Sequence, residues 1–354
     1  MPGFKFLNNK GIVSLFIILT TLFVAAVLFL VSVLKFNNNL FYEILTVKDS
    51  EAAGPYGTQP GQPINDKGEI QVTDGVADRL AQSGAGRVRL NFRLGPYPND
   101  NGEFYAKYDE IINRLRDRGL QVVGLMSNES WHGSQSDWTT NNWENIPGGD
   151  GYNQYFDQYC YAFQRIAKHF EGKIKYWELW NEPNAWTNQT SPTTFEGGSF
   201  IYPSNFAAML AQCHAQVHYF NSMDIQVISG GLFGHNLAGF WTGGAGADYL
   251  DKTYDIGINH TGKFAWTKAT YGSYPLDAIG QHIYINQFKD SGNVNTAEFS
   301  NYLRYVNDVV KKWEGSGTNK KTWVTEFGWT TKDVSESQQA TNLEKAFKTM
   351  KSVP

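Results

Sequence analysis

The chain has 354 residues and a formal net charge of −4, with no basic tract, so neither a polyanion nor a nucleic acid is implied as a partner. Its length accommodates one large domain with an appendage, because α/β barrels reach ~250 residues as single domains. Two cysteines are too few for a disulfide-built scaffold.

In chain order, the first feature is apolar. Residues 12–34, IVSLFIILTTLFVAAVLFLVSVL, run 23 positions without a charge; as a helix they span about 34 Å against a hydrocarbon core of about 30 Å. A cleavable signal peptide has a shorter apolar core, ~7–15 residues, and small residues at its cleavage site, whereas KFNNNLFYE follows Leu34. The run is expected to be an uncleaved transmembrane helix, a single-pass anchor in the cell membrane. Residues 1–11, with Lys5 and Lys10, then form a cytoplasmic tail, and the rest is extracytoplasmic. Cleavage would make the domain secreted instead. Residues 35–69, with Asn37 to Asn39 and recurrent Gly and Pro from Gly54 to Gly68, read as a stalk. The first strand of the following domain, expected over 70–354, should lie in that stretch, but no periodicity places it.

From residue 69 onward helix-like and strand-like runs alternate, the rhythm of a parallel sheet with crossover helices. A helix near 74–83 precedes strand RVRLNFRL (87–94), and a helix over 104–119 precedes LQVVGLMS (120–127). A helix over 155–170 leads to the strand in KIKYWELWNEPN (173–184), and one over 205–220 leads to IQVISGGLF (225–233). A helix around 246–256 precedes DAIGQHIYI (277–285), and a helix over 296–314 precedes KTWVTEFGWT (321–330). Helix-like SESQQATNLEKAFKTMKSV (335–353) follows. Cys160 and Cys213 fall on successive helices, where one disulfide and two buried free thiols are both open readings.

Two of the strands end in the same device. Trp-Asn-Glu-Pro delivers Glu182 where the backbone cannot continue as a strand, and TEFGW delivers Glu326 just before Gly328. Cleaving a glycosidic bond needs one protonated and one ionised carboxyl, about 5–5.5 Å apart in retaining enzymes. These two are far apart in sequence. A (β/α)8 barrel closes such a distance, since all its strand ends meet at one rim. Counting RVRLNFRL as the second strand puts Glu182 after the fourth and Glu326 after the seventh.

WNEP followed by a later TEFGW over residues 70 to 354 resembles glycoside hydrolase clan A, family 39-like or family 5-like, in which the acid/base and the nucleophile follow strands four and seven. The resemblance implies a retaining TIM barrel that hydrolyses β-glycosidic bonds in oligo- or polysaccharides, with Glu182 as acid/base, Glu326 as nucleophile, and no metal or cofactor. It also implies that Arg89 orients the nucleophile, with Arg93 as the competing choice, and that Asn181 binds the sugar 2-hydroxyl. His282 and Tyr284, two apart on one strand face, match a His-x-Tyr pair beside the nucleophile. Trp329 at the rim after strand seven, with Trp131 and Trp186 in the loops after strands three and four, would contact sugar. Aromatic residues, 15% of the chain with 11 Trp, suit a carbohydrate partner.

Each assignment has a plainer counterpart. Glu178, on the same strand face as Glu182 by parity, reads as an internal polar residue; Arg89 could be a structural ion pair, His282 and Tyr284 core packing, and Trp131, Trp138, Trp143 and Trp186 loop packing. His214 and His218 have zincin spacing, but Ala215 stands where the general base should be, so they read as helix-surface histidines. Gly84 and Gly86 precede a strand, so no dinucleotide loop is implied. The chain stops at Pro354 where strand eight would begin, so the barrel is expected to be incomplete at its C-terminus. The competing function is a noncatalytic carbohydrate-binding or surface-interaction protein derived from such a barrel.

Overall fold

The computed structural model describes residues 56–185, 199–234, 245–285 and 293–353. Seven strands lie in one parallel sheet in chain order: β1 (Gly57–Thr58), β2 (Arg87–Asn91), β3 (Gln121–Met126), β4 (Tyr176–Asn181), β5 (Gln226–Gly234), β6 (Ala278–Ile283) and β7 (Lys321–Glu326). Between and after them come α1 (Asp74–Gln82), α2 (Gly102–Arg116), α3 (Gln135–Thr139), α4 (Gln154–His169), α5 (Pro203–His214), α6 (Ala245–Asp255), α7 (Lys263–Tyr271), α8 (Thr296–Glu314) and α9 (Glu336–Ser352). Two π turns, π1 (Ala215–Tyr219) and π2 (Ile256–His260), extend α5 and α6. The sheet is curled, because Arg89 on β2 meets Glu326 at the end of β7, a strand that is not its neighbour.

Strand alternation explains the layers. On β2, Val88 and Leu90 point outward into the buried cluster shared with Phe104, Tyr108, Phe156 and Phe163 of α2 and α4, while Arg89 points inward. Trp177 takes the outward position on β4 and fills the space left by Gly124 on β3; a Cβ at Gly124 would come within 2.4 Å of the indole. Inside, Val123, Ile228 and Ala278 form a small apolar layer with Tyr176 and Trp323. Asn101, Asn153, Asn295 and Ser335 cap the N-termini of α2, α4, α8 and α9 through their side chains. Cys160 of α4 and Cys213 of α5 form a disulfide with Cα atoms 4.7 Å apart, which selects the first of the two open readings.

Some expectations are met and others corrected. The first strand lies in the stretch where it was expected, at Gly57–Thr58, and it could not be placed from sequence because two residues are too few to show a period. The Gly and Pro around it make compact turns, with Gly68 N–H bonded to Asn65 C=O and a bridge between Ile64 and Ile70. The helices α3 and α7 were not anticipated. His214 is no surface histidine: it is 3% exposed on a helix buried on nearly all sides, and burial, with the neighbouring charge of His218, holds its imidazole down to about 4.

The anchor expected at 12–34 lies outside the described residues, and among the described residues no helix is long and apolar enough to cross a membrane. Of the expected (β/α)8 barrel, seven parallel strands are present among the described residues. The sheet ends on β1 and β7, and β7 is half-buried along most of its length where the central strands are buried.

Candidate active site

The site is built at the C-terminal ends of the strands, where barrels of this type place their chemistry. Glu178 sits inward on β4, fully buried, and accepts hydrogen bonds from Arg89 Nε (2.5 Å) and Thr325 Oγ1 (2.9 Å). Arg89 Nη1 donates to Glu326 Oε1 at 2.5 Å and to Gln59 Oε1 at 2.9 Å, and Nη2 donates to Asn181 Oδ1 at 2.9 Å. One guanidinium therefore ties together four strands' worth of polar groups. Arg93, the competing choice, is engaged elsewhere, with Glu129, Asp66 and the main-chain oxygen of Ile64.

Two local backbone features aim the carboxylates. Trp180 and Glu182 have φ of 79° and 50°, a left-handed conformation uncommon for residues other than glycine. Trp180 thereby joins the outward aromatic cluster with Trp138, Tyr155 and Tyr159, its indole N–H bonded to Ser199 C=O, while Asn181 faces Arg89. On β7 the pairing with β6 slips at Thr325, so Thr325 and Glu326 both address interior groups.

His282 and Tyr284 meet the two glutamates. His282 Nδ1 lies 2.9 Å from Glu182 Oε1 and 3.7 Å from Glu326 Oε2, and Tyr284 donates its hydroxyl to Glu326 Oε2 at 2.5 Å. The imidazole fits only because residue 231 on β5 is Gly; a Cβ there would stand 2.0 Å from Nε2. Ligand atoms of Glu182, His282 and Glu326 all lie within 4.8 Å of one another, a set that could also hold a divalent cation.

The electrostatics around Glu326 favour its charged form. Burial alone would raise the Glu326 carboxyl, but the charges of His282 and Arg89 and the hydrogen bonds from Tyr284 and Arg89 outweigh it and hold the group below the usual carboxylate range. Burial and the adjacent Glu326 charge push the Tyr284 phenol far up, so it stays a donor. Beside these groups a cleft of about 270 Å³ is lined by Gln59, Gln62, Asn91, Ser127, Asn128 and Glu129 together with Arg89, Asn181 and Glu326. Its polar amides and hydroxyl can exchange hydrogen bonds with a hydroxylated ligand.

Of the expected site residues, Glu182, Glu326, Arg89, Asn181, His282 and Tyr284 are brought together. Trp329 is not: it is 5% exposed, its indole N–H is bonded to Ile285 C=O, and it packs against Phe327, so it belongs to the core and offers no open face. Trp131 is half-buried against the main core beside His132. Trp138 is buried, and Trp143 is exposed with its ring against His260. Trp186 lies outside the described residues. Gln59 was missed because the strand before it carries no legible signal.

Seven parallel strands in chain order, with acidic residues gathered at their C-terminal ends, define a TIM-barrel type of α/β protein. Its solved-structure neighbours include glycoside hydrolases. One is a family 39 glycoside hydrolase from the gut symbiont Bacteroides cellulosilyticus WH2, at 16% identity and TM-score 0.51 over 85% of this chain and 54% of that one. Another is a rice β-glucosidase mutant in a covalent complex with glucose, at 13% identity and TM-score 0.51 over 85% of this chain and 82% of that one. The chain thus spans about half the length of the family 39 enzyme, and at these identities the likeness is one of fold. No family model matches the sequence, and no curated protein does.

Proposed function

We propose that this chain hydrolyses β-glycosidic bonds in oligo- or polysaccharides with retention of configuration, as a family 39-like or family 5-like glycosidase. The observation that carries the reading is that Glu182 and Glu326, each touched by His282, bring carboxylate oxygens within 4.8 Å of each other at one strand-end rim, a closeness compatible with the ~5–5.5 Å carboxyl separation of a double displacement.

In the first step Glu326 attacks the anomeric carbon while the glycosidic bond breaks and the Glu182 proton passes to the leaving oxygen. In the second, Glu182 takes a proton from water, the water oxygen bonds to the anomeric carbon, and Glu326 departs. Arg89 and Tyr284 keep Glu326 ionised and fix both its oxygens. Because Arg89 occupies Asn181 Oδ1, what Asn181 offers a sugar hydroxyl is its amide N–H. Two glutamates paired at the rim, with Glu326 held ionised, weigh against a noncatalytic sugar-binding role.

The test is chemical rescue. In Glu182→Ala, substrates whose leaving group needs no protonation should still glycosylate Glu326, and azide should restore turnover; in Glu326→Gln turnover should be lost with binding kept. Azide rescue at Glu326 in place of Glu182 would reverse the roles. The same reading puts the domain outside the cell, held by 12–34. The full chain should stay with membranes after alkaline carbonate extraction, and a soluble chain whose N-terminus lies beyond residue 34 would contradict that.

A further inference from the structure

A second cluster lies at the opposite end of the sheet. His214 closes α5, His218 follows four residues later in π1, and Asp277 stands just before β6, where its Oδ2 accepts the Val227 N–H at the start of β5 (2.7 Å). One ligand atom from each of the three lies within 4.8 Å of the others. Buried imidazole nitrogens ordinarily find a partner. Here His214 Nδ1 is buried without a hydrogen bond, and His218 Nε2 has only a long, 3.5 Å ion-pair contact to Asp277 Oδ2.

We propose that His214, His218 and Asp277 bind a divalent ion of the zinc class, with water in the fourth position. Two imidazoles and one carboxylate are a donor set suited to Zn²⁺, at about 2.0–2.2 Å per ligand. Reaching that geometry requires the side chains to draw together from their present spacing. His218 and Asp277, being 23% and 29% exposed, lie at the partly solvent-accessible side of the cluster. The nearby positive group is Lys320, whose ammonium is paired with Glu314 and thus partly offset. A bound ion would tie the end of α5, already held by the Cys160–Cys213 disulfide, to the starts of β5 and β6. It would act as a clamp on the fold, remote from the glutamates, and it departs from the expectation of a metal-free protein.

The full chain, stripped with chelator, should take up one equivalent of Zn²⁺ by calorimetry and give a tetrahedral Co²⁺ absorption spectrum. Zn²⁺ at a hundredfold excess over Kd should raise Tm by roughly 5 °C, reversed by chelator. His218→Gln and Asp277→Asn, both at the partly exposed side of the cluster, should each weaken uptake at least tenfold. Glu326→Gln should keep it, separating this cluster from the Glu182, His282 and Glu326 set. Absence of stoichiometric uptake, uptake unchanged in both cluster variants, or uptake lost in Glu326→Gln would overturn the proposal.

Discussion

Every guanidinium nitrogen of Arg89 is committed inside the site, to Glu178, Glu326, Gln59 and Asn181. Arg89→Met would leave the fully buried Glu178 and the partly buried Glu326 without their cation, a loss of about 3–5 kcal/mol in urea unfolding. An effect under 1 kcal/mol would mean that the pair is not structural. The pH sign follows from the same contacts. Glu326 titrates below its unfolded value, so its stabilising contribution is present above about pH 4.3 and is lost as pH falls through the lower folded value. The acid limb of kcat/KM should therefore lie below that of an ordinary glutamate and move upward in Arg89→Met. Much of this site is legible in sequence, because WNEP and TEFGW mark both carboxylates, strand parity puts Glu178 on the face of Glu182, and the family resemblance singles out Arg89 over Arg93. What is not legible depends on neighbours that sequence does not name: the burial of Trp329, the partner of Arg93, and the left-handed turn at Trp180 that rotates one indole out of the interior.

At the scale of elements, strong periods are read correctly and weak ones are not. The helix expected over 296–314 matches α8, and the run at 321–330 holds β7 in its first six residues, whereas β1 has two residues and nothing to repeat. Helix α5 is buried almost all round, so no polar face marks its orientation, and His214 was misread for that reason. The disulfide between α4 and α5 closes a loop of 53 residues. By loop entropy alone, replacing both cysteines by Ala should lower stability by about 4 kcal/mol. Equal unfolding midpoints for the double variant and the parent would show that packing of α4 on α5 already supplies the constraint.

For the whole molecule the two sheet ends matter most. Tyr56, next to β1, packs in a tilted arrangement against Phe347 of α9 with ring centroids 4.2 Å apart, and Phe347 also meets Phe327 just past β7 edge-on at 5.1 Å. One half-buried ring thus links the first and last strands' flanks. Phe347→Ala should cost roughly 2 kcal/mol, below the ~3–5 of a fully buried ring, and should increase binding of a hydrophobic dye. A silent substitution would mean that the strand ends are held by other contacts.

The central claim is that Glu326 forms a covalent bond to the sugar, and its most direct test is to trap that bond. Incubation of the full chain with an activated 2-deoxy-2-fluoro β-glycoside slows both steps but releases a good leaving group, so the glycosyl-enzyme accumulates and can be mapped by peptide mass spectrometry. The account predicts one sugar per chain, on the peptide carrying Glu326, and none in Glu326→Gln. A label on any other residue, or a first product of inverted configuration from the normal substrate, would contradict it.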